Sequence, residues 1–142
     1  MIGQICSRPP VTASPHTTVR EATHRMLSRK VGALVVVDDR SKPIGIVTDR
    51  DIAVKVVAQG GDPAIVRVGS LIRRPPTVIA EEAGVLDATR LLSRRGVRRL
   101  PVVNRAGKLV GIISLDDLLM LIGSELSHIA SALANELGRR RI

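Results

Sequence analysis

No phenylalanine, tyrosine or tryptophan occurs in the 142 residues. That excludes a nucleic-acid reader that stacks bases on aromatic platforms, and it leaves Val, Ile and Leu to fill the core. Cysteine is nearly absent. Cys6 alone rules out an internal disulfide and a cysteine-rich zinc site, and with the scattered His16, His24 and His128 it makes no metal-ligand spacing. Acidic residues are outnumbered, 13 against 22 Lys and Arg, which sets a formal charge of +9 and favours an anionic partner. Arg provides 18 of those cations, the residue that grips phosphate bidentately. The excess is uneven, +3 over residues 1–66 and +6 over 67–142. Long apolar runs are missing too: Val31–Val37 and Leu118–Gly123 are too short to cross a bilayer. No basic stretch followed by an apolar run opens the chain. The expected setting is therefore the cytoplasm, with no membrane. A hydrophobic content of 44% and a charged content of 25% belong to a globular chain, long enough for one domain or for two small repeats sharing a core.

What is present is a duplication. Shifted by 66 residues, the chain matches itself without a gap, with 15 identities in the 49 pairs that start at residues 5–53. Arg8-Pro9-Pro10 falls on Arg74-Pro75-Pro76, Val36-Val37 on Val102-Val103, Gly45-Ile46 on Gly111-Ile112, and Asp51 on Asp117. Each repeat reads alike. The X-Pro-Pro segment stops any preceding helix and leads into a short extended stretch (Val11–Ala13; Thr77–Ala80). A helix follows, with apolar positions Val19, Ala22, Met26 and Leu27, or Val85, Ala88, Leu91 and Leu92. Thr18 and Glu21 suit a capping box for the first helix. Two β-branched runs then flank a polar turn, Leu34–Val37 with Pro43–Val47 and Leu100–Val103 with Leu109–Ile113, the pattern of a hairpin. Asp38-Asp39 reads as turn chemistry, and Cys6 as a small buried residue near the first strand. Thr48 and Ser114 are good N-caps for a second helix. The unit is β-α-β-β-α.

Between the repeats, Asp62 as N-cap and Pro63 at the first helical position predict a short helix into Leu71. The last helix is predicted to run to about Leu137. Its Leu118, Ile122, Leu126, Ile129, Leu133 and Leu137 form one apolar stripe with nothing in a single repeat to cover all of it. A frayed basic tail, Arg139-Arg140-Arg141, follows. The expected division is 1–66 for the first repeat with its connecting turn, 67–122 for the second, and 123–142 for the helical extension.

Gly45-Ile46-Val47-Thr48-Asp49-Arg50-Asp51, Gly111-Ile112-Ile113-Ser114-Leu115-Asp116-Asp117 and Gly96-Val97-Arg98-Arg99-Leu100-Pro101-Val102-Val103 make the chain resemble a tandem pair of CBS domains, a Bateman module, over roughly residues 1–122. Val35 departs from the pattern, which has proline there, as Pro101 does. The resemblance implies an α/β (α+β) fold of two repeats packed with pseudo-twofold symmetry, plus the C-terminal helix. It implies two clefts between the repeats for adenosyl ligands: AMP, ADP, ATP, or S-adenosylmethionine, with Mg²⁺ as a companion if the ligand is ATP. It also implies a flat homodimer.

Residue chemistry agrees with that reading. A Thr or Ser N-cap leaves backbone N–H groups for a phosphate, so Thr48 and Ser114 are candidates. Asp51 and Asp117 can accept from ribose hydroxyls, as a carboxylate does in dinucleotide-binding folds. Arg98 and Arg99 can neutralise phosphate, while Gly32 and Ala33 hold their places in the first repeat, so the two clefts should differ in charge. Val11, Ile46, Thr77 and Ile112 offer an aliphatic bed for adenine. Arg73-Arg74 and Arg94-Arg95 read as solvated helix-end charges. Helix capping by itself would also explain Thr48/Asp51 and Ser114/Asp117. No nucleophile–base constellation and no glycine-rich phosphate loop is present, so no enzyme and no required cofactor is expected. The leading expectation is a regulatory sensor that signals to an unidentified effector protein. A ligand-free dimeric adaptor is the alternative, and a nucleic-acid binder the weaker one.

Overall fold

The computed structural model describes residues 1–140; Arg141 of the predicted basic tail lies outside them. The architecture is α+β, with two three-stranded sheets in the orders β1-β2-β3 and β4-β5-β6. In the first repeat these are β1 Thr12–Ala13, α1 Val19–Arg29, β2 Ala33–Val37, β3 Pro43–Thr48 and α2 Asp49–Ile52, which continues as a π-turn over Ala53–Val57. In the second they are β4 Ile79–Ala80, α3 Val85–Arg95, β5 Arg99–Val103, β6 Leu109–Ser114 and α4 Leu115–Arg139. Each sheet pairs its first two strands in parallel and its last two antiparallel, with the same register shift after Val36 and after Val102. The duplication is thus one of backbone as well as of sequence.

Local chemistry sets the element ends. The Thr18 hydroxyl accepts from Glu21 N–H, and the Glu21 carboxylate accepts from Thr18 N–H, the expected box. Helix α1 ends at Lys30 (φ 54°) and α3 at Gly96 (φ 61°), both left-handed. Asp38 Oδ1 accepts from the N–H groups of Arg40 and Lys42, and Asn104 Oδ1 does the same for Ala106 and Lys108, which closes both hairpins.

Strand alternation assigns the faces. Leu34, Val36 and Val47 pack with Val19, Ala22 and Met26 of α1, while Leu100, Val102 and Ile113 pack with Ala88 and Leu92 of α3. Val35 and Pro101 point the other way and are also buried. Three expectations are corrected. Leu27 is 77% exposed: one step past Met26 rotates it off the core face, and its counterpart is Ser93. No helix joins Asp62 to Leu71. A turn at Pro63–Ile65 is followed by extended Arg67, which bridges Thr18, and then by a 3-10 turn over Val68–Leu71. Cys6 is half-buried and lies against Gly111 of the last hairpin, not beside β1.

The repeats also exchange their leading segments. Ile2, fully buried, sits in the second core, with Ile2 N–H donating to the Ala83 carbonyl (2.8 Å) and Gly3 N–H to the Glu81 carbonyl (2.9 Å). Val68, its counterpart 66 residues on, sits fully buried in the first core and donates to the Thr17 carbonyl (2.9 Å). Packing units and sequence repeats therefore overlap only in part.

Helix α4 leaves the body after Leu118. Its 25 residues are long and apolar enough to span a bilayer by length and composition. Yet Ile122, Leu126, Ile129, Leu133 and Leu137 recur on one face, with Glu125, Ser127, His128 and Glu136 between them. That is the pattern of a helix laid against one surface, not one surrounded by lipid.

Candidate functional site

A cleft of about 860 Å³ lies between the repeats. Its lining comes from three places: Ile46 and Thr48 on β3 of the first repeat, the Arg74-Pro75-Pro76-Thr77 segment leading into β4, and Arg94, Arg95, Val97, Arg98 and Arg99 at the end of α3 and the start of β5. The Pro-Pro segment is held extended by its own rings, so Thr77 reaches the cleft instead of continuing a helix. The left-handed turn at Gly96 reverses the chain, bringing the last α3 side chains beside Arg98 and Arg99.

The structure brings Ile46, Thr48, Thr77, Arg98 and Arg99 together at this one cleft. Val11, Gly32, Ala33, Ile112 and Ser114 are not in it; the 66-residue shift relates them to the first set and puts them at the twin position. Of the four side chains named for adenine, Ile46 and Thr77 fall at this cleft and Val11 and Ile112 at the twin position. Asp51 and Asp117 line neither wall of the cleft described. Each holds its N-cap: Asp51 Oδ2 accepts from Thr48 N–H (3.0 Å) while the Thr48 hydroxyl accepts from Asp51 N–H (3.0 Å), and Asp117 does the same with Ser114 (2.8 and 3.1 Å). Asp51 Oδ1 also meets Lys55 Nζ at 3.2 Å. Burial alone would raise the Asp51 carboxyl, but the Thr48 N–H, the Lys55 ammonium and the Thr48 hydroxyl outweigh it and hold the group below the ordinary carboxylate value.

Five guanidinium groups face the cleft, and no carboxylate lines it. Arg98 meets Asp116 at 3.5 Å, an exposed pair worth little. Arg74, Arg94, Arg95 and Arg99 stand in no ion pair among the described residues. Arg74, Arg94 and Arg95 are the lining residues that the sequence alone assigned to solvated helix ends. They are exposed, as expected, but they are exposed at a cavity mouth. Two Arg pairs, 94–95 and 98–99, flanking the glycine at 96 were the available signal.

The twin position differs in its backbone as well. Val35 N–H donates to the Val11 carbonyl (3.2 Å). Pro101 has no N–H, so the Thr77 carbonyl at the cleft has no such partner.

Comparison with known proteins extends this picture. A family model for the CBS domain matches residues 2–58 and 68–124. An uncharacterized protein of Methanopyrus kandleri is 36% identical over 120 residues, 84% of this chain and 61% of that protein, so the chain spans under two thirds of that relative's length. Among solved structures, the CBS domain pair of protein MJ0100 in complex with 5′-methylthioadenosine and S-adenosyl-L-methionine superposes with a TM-score of 0.78 at 27% identity, covering 88% of this chain and 97% of that one. The CBS domain protein PAE2072 of Pyrobaculum aerophilum, complexed with AMP, superposes at 0.74 and 27% identity, covering 87% and 98%. Two matched repeats, the same β-α-β-β-α unit in each and a cleft between them show that the chain belongs to the CBS domain family, as a tandem pair.

Proposed function

We propose that the chain is a non-enzymatic regulatory module that binds an adenosyl ligand between its repeats and passes the signal to a partner protein. One observation carries this: a single cleft assembled from both repeats, with an aliphatic bed at Ile46 and Val97, a free carbonyl at Thr77, the Thr48 side chain, and guanidinium groups around them. Adenine suits the apolar bed and the carbonyl, and phosphate suits the Arg groups; the α2 N-terminus offers it nothing, because the N–H groups of Thr48, Asp49, Arg50 and Asp51 are already bonded within the protein. Adenosyl ligands bound by the two structural relatives support the same assignment. A ligand touching β3 of one repeat and the β4–β5 region of the other favours one relative arrangement of the two. It transmits a signal to the extent that it binds that arrangement better.

The working unit is a homodimer. Ile122, Leu126, Ile129, Leu133 and Leu137 of α4 are exposed, and a second copy is the partner whose charges fit. In an antiparallel pair with Leu126 against Ile129 and Ile122 against Leu133, Arg139 comes level with Asp116, and opposite helix dipoles align. A parallel pair would stack like charges.

A thermal-shift series with AMP, ADP, ATP and S-adenosylmethionine tests the ligand reading. A hundredfold excess over Kd stabilises by about 2.7 kcal/mol, a rise of several degrees. The rise should be lost in Asp51→Ala, which frees the Thr48 turn, and kept in Asp117→Ala. A flat response to the whole panel would overturn the sensor and leave the dimeric adaptor.

A further inference from the structure

The cleft and its twin are not chemically equivalent. Under the 66-residue shift, Arg74, Arg94, Arg95, Arg98 and Arg99 become Arg8, Ser28, Arg29, Gly32 and Ala33. Five guanidinium groups are replaced by two, and one of those is already engaged: Arg8 meets Glu81 at 3.2 Å and donates through Nε to Cys6 Sγ at 3.4 Å. An arginine at Gly32 would also have to clear a carboxylate, since a Cβ there would stand 3.1 Å from Asp49 Oδ2. Backbone groups tell the same story. The Val11 carbonyl is taken by Val35 N–H, and the β6 edge at Ile112 is closed by Ser7, which both donates to and accepts from it (2.9 and 3.3 Å). Arg73, the counterpart of Ser7, forms no bridge to Ile46, so that edge stays open at the cationic cleft.

Electrostatics then select among adenosyl ligands. Guanidinium groups crowded around one cavity repel one another, and the repulsion is relieved in proportion to the negative charge a ligand brings. AMP brings one phosphate and ATP three, whereas S-adenosylmethionine brings a sulfonium cation. Each added phosphate also offers oxygens for a bidentate grip. We infer that this chain binds a nucleoside di- or triphosphate in preference to AMP or S-adenosylmethionine, at one cleft per chain. The base assignment rests on the adenosyl reading above; the phosphate preference and the stoichiometry rest on the charge asymmetry.

Isothermal titration calorimetry of the full chain with AMP, ADP, ATP, S-adenosylmethionine and sodium tripolyphosphate, with and without Mg²⁺, tests it. The expected result is one site per chain, with ATP and ADP about tenfold or more tighter than AMP. S-adenosylmethionine should bind weakest, and the preference should shrink as salt is raised. Arg94→Ala with Arg95→Ala, checked by circular dichroism for an unchanged fold, should bring the ATP and AMP affinities together. Equal affinity for AMP and ATP, tighter binding of S-adenosylmethionine, or two sites per chain would overturn the inference and leave the adenosyl reading standing. Tripolyphosphate binding with no nucleotide preference would overturn the adenosyl reading and keep the charge assignment. Silence from every probe would overturn both.

Discussion

Gly45 and Gly111 open the two Gly-x-x-Thr/Ser-x-x-Asp segments, and neither has a left-handed φ. What each position demands is room. A Cβ at Gly45 would lie 2.5–2.6 Å from three side-chain atoms of Ile72, and one at Gly111 would overlap Cys6 Sγ. Ile72 and Cys6 are themselves related by the 66-residue shift, so each glycine receives the side chain that leads into the other repeat. Gly45→Ala therefore overpacks the contact between repeats and should cost about 1–3 kcal/mol. Urea denaturation reads this directly, and an unchanged midpoint would show that Ile72 swings aside freely. The Asp residues closing the same segments hold turns by hydrogen bonds that also serve as caps. For this reason the motif announces the fold more strongly than it announces the ligand.

At the scale of elements, α4 stands apart. The other helices bury a face against their own sheet, but α4 buries only Leu118 and extends an apolar stripe beyond the body. Leu119, Ile122, Leu126, Ile129 and Leu133 recur at spacings of three and four, the seam of a helix pair. Replacing Leu126 and Leu133 by Lys should convert the proposed dimer to monomer in sedimentation velocity while the helical signal of the body persists. A dimer that survives both changes would assign self-association to other exposed apolar residues such as Leu27 and Val57. The region after Asp62 shows the opposite case. Local signals for a helix were present, but Arg67 is drawn into a bridge with Thr18, and extended backbone there ends any helix.

Over the whole molecule, the exchange of leading segments makes the two repeats one folding unit. Ile2 is the second residue of the chain, where substitutions are ordinarily tolerated, yet it is fully buried in the core of the second repeat. Ile2→Ala should cost about 2–5 kcal/mol by opening a cavity there. It should lower the melting temperature in a single transition. A melt indistinguishable from the parent would mean that the segment contributes nothing to the second core.

Composition and the 66-residue repeat were enough, read along the chain, to determine the β-α-β-β-α unit and its duplication, while the candidates Thr48, Thr77, Arg98, Arg99 and Ile46 came with the family resemblance that the signature segments carry. These are local properties: periodicity, capping and turn chemistry act between residues a few positions apart. Only the tertiary structure decided that Arg74, Arg94 and Arg95 join Arg98 and Arg99 around one cavity. It likewise decided that Ile46 and Thr77 share a cleft without Val11 and Ile112, and that Ile2 and Val68 change places. Such contacts follow from how the two repeats meet and which edges stay open. A pseudo-twofold arrangement assigns equivalent residues to opposite sites, and no spacing within one repeat reveals that division.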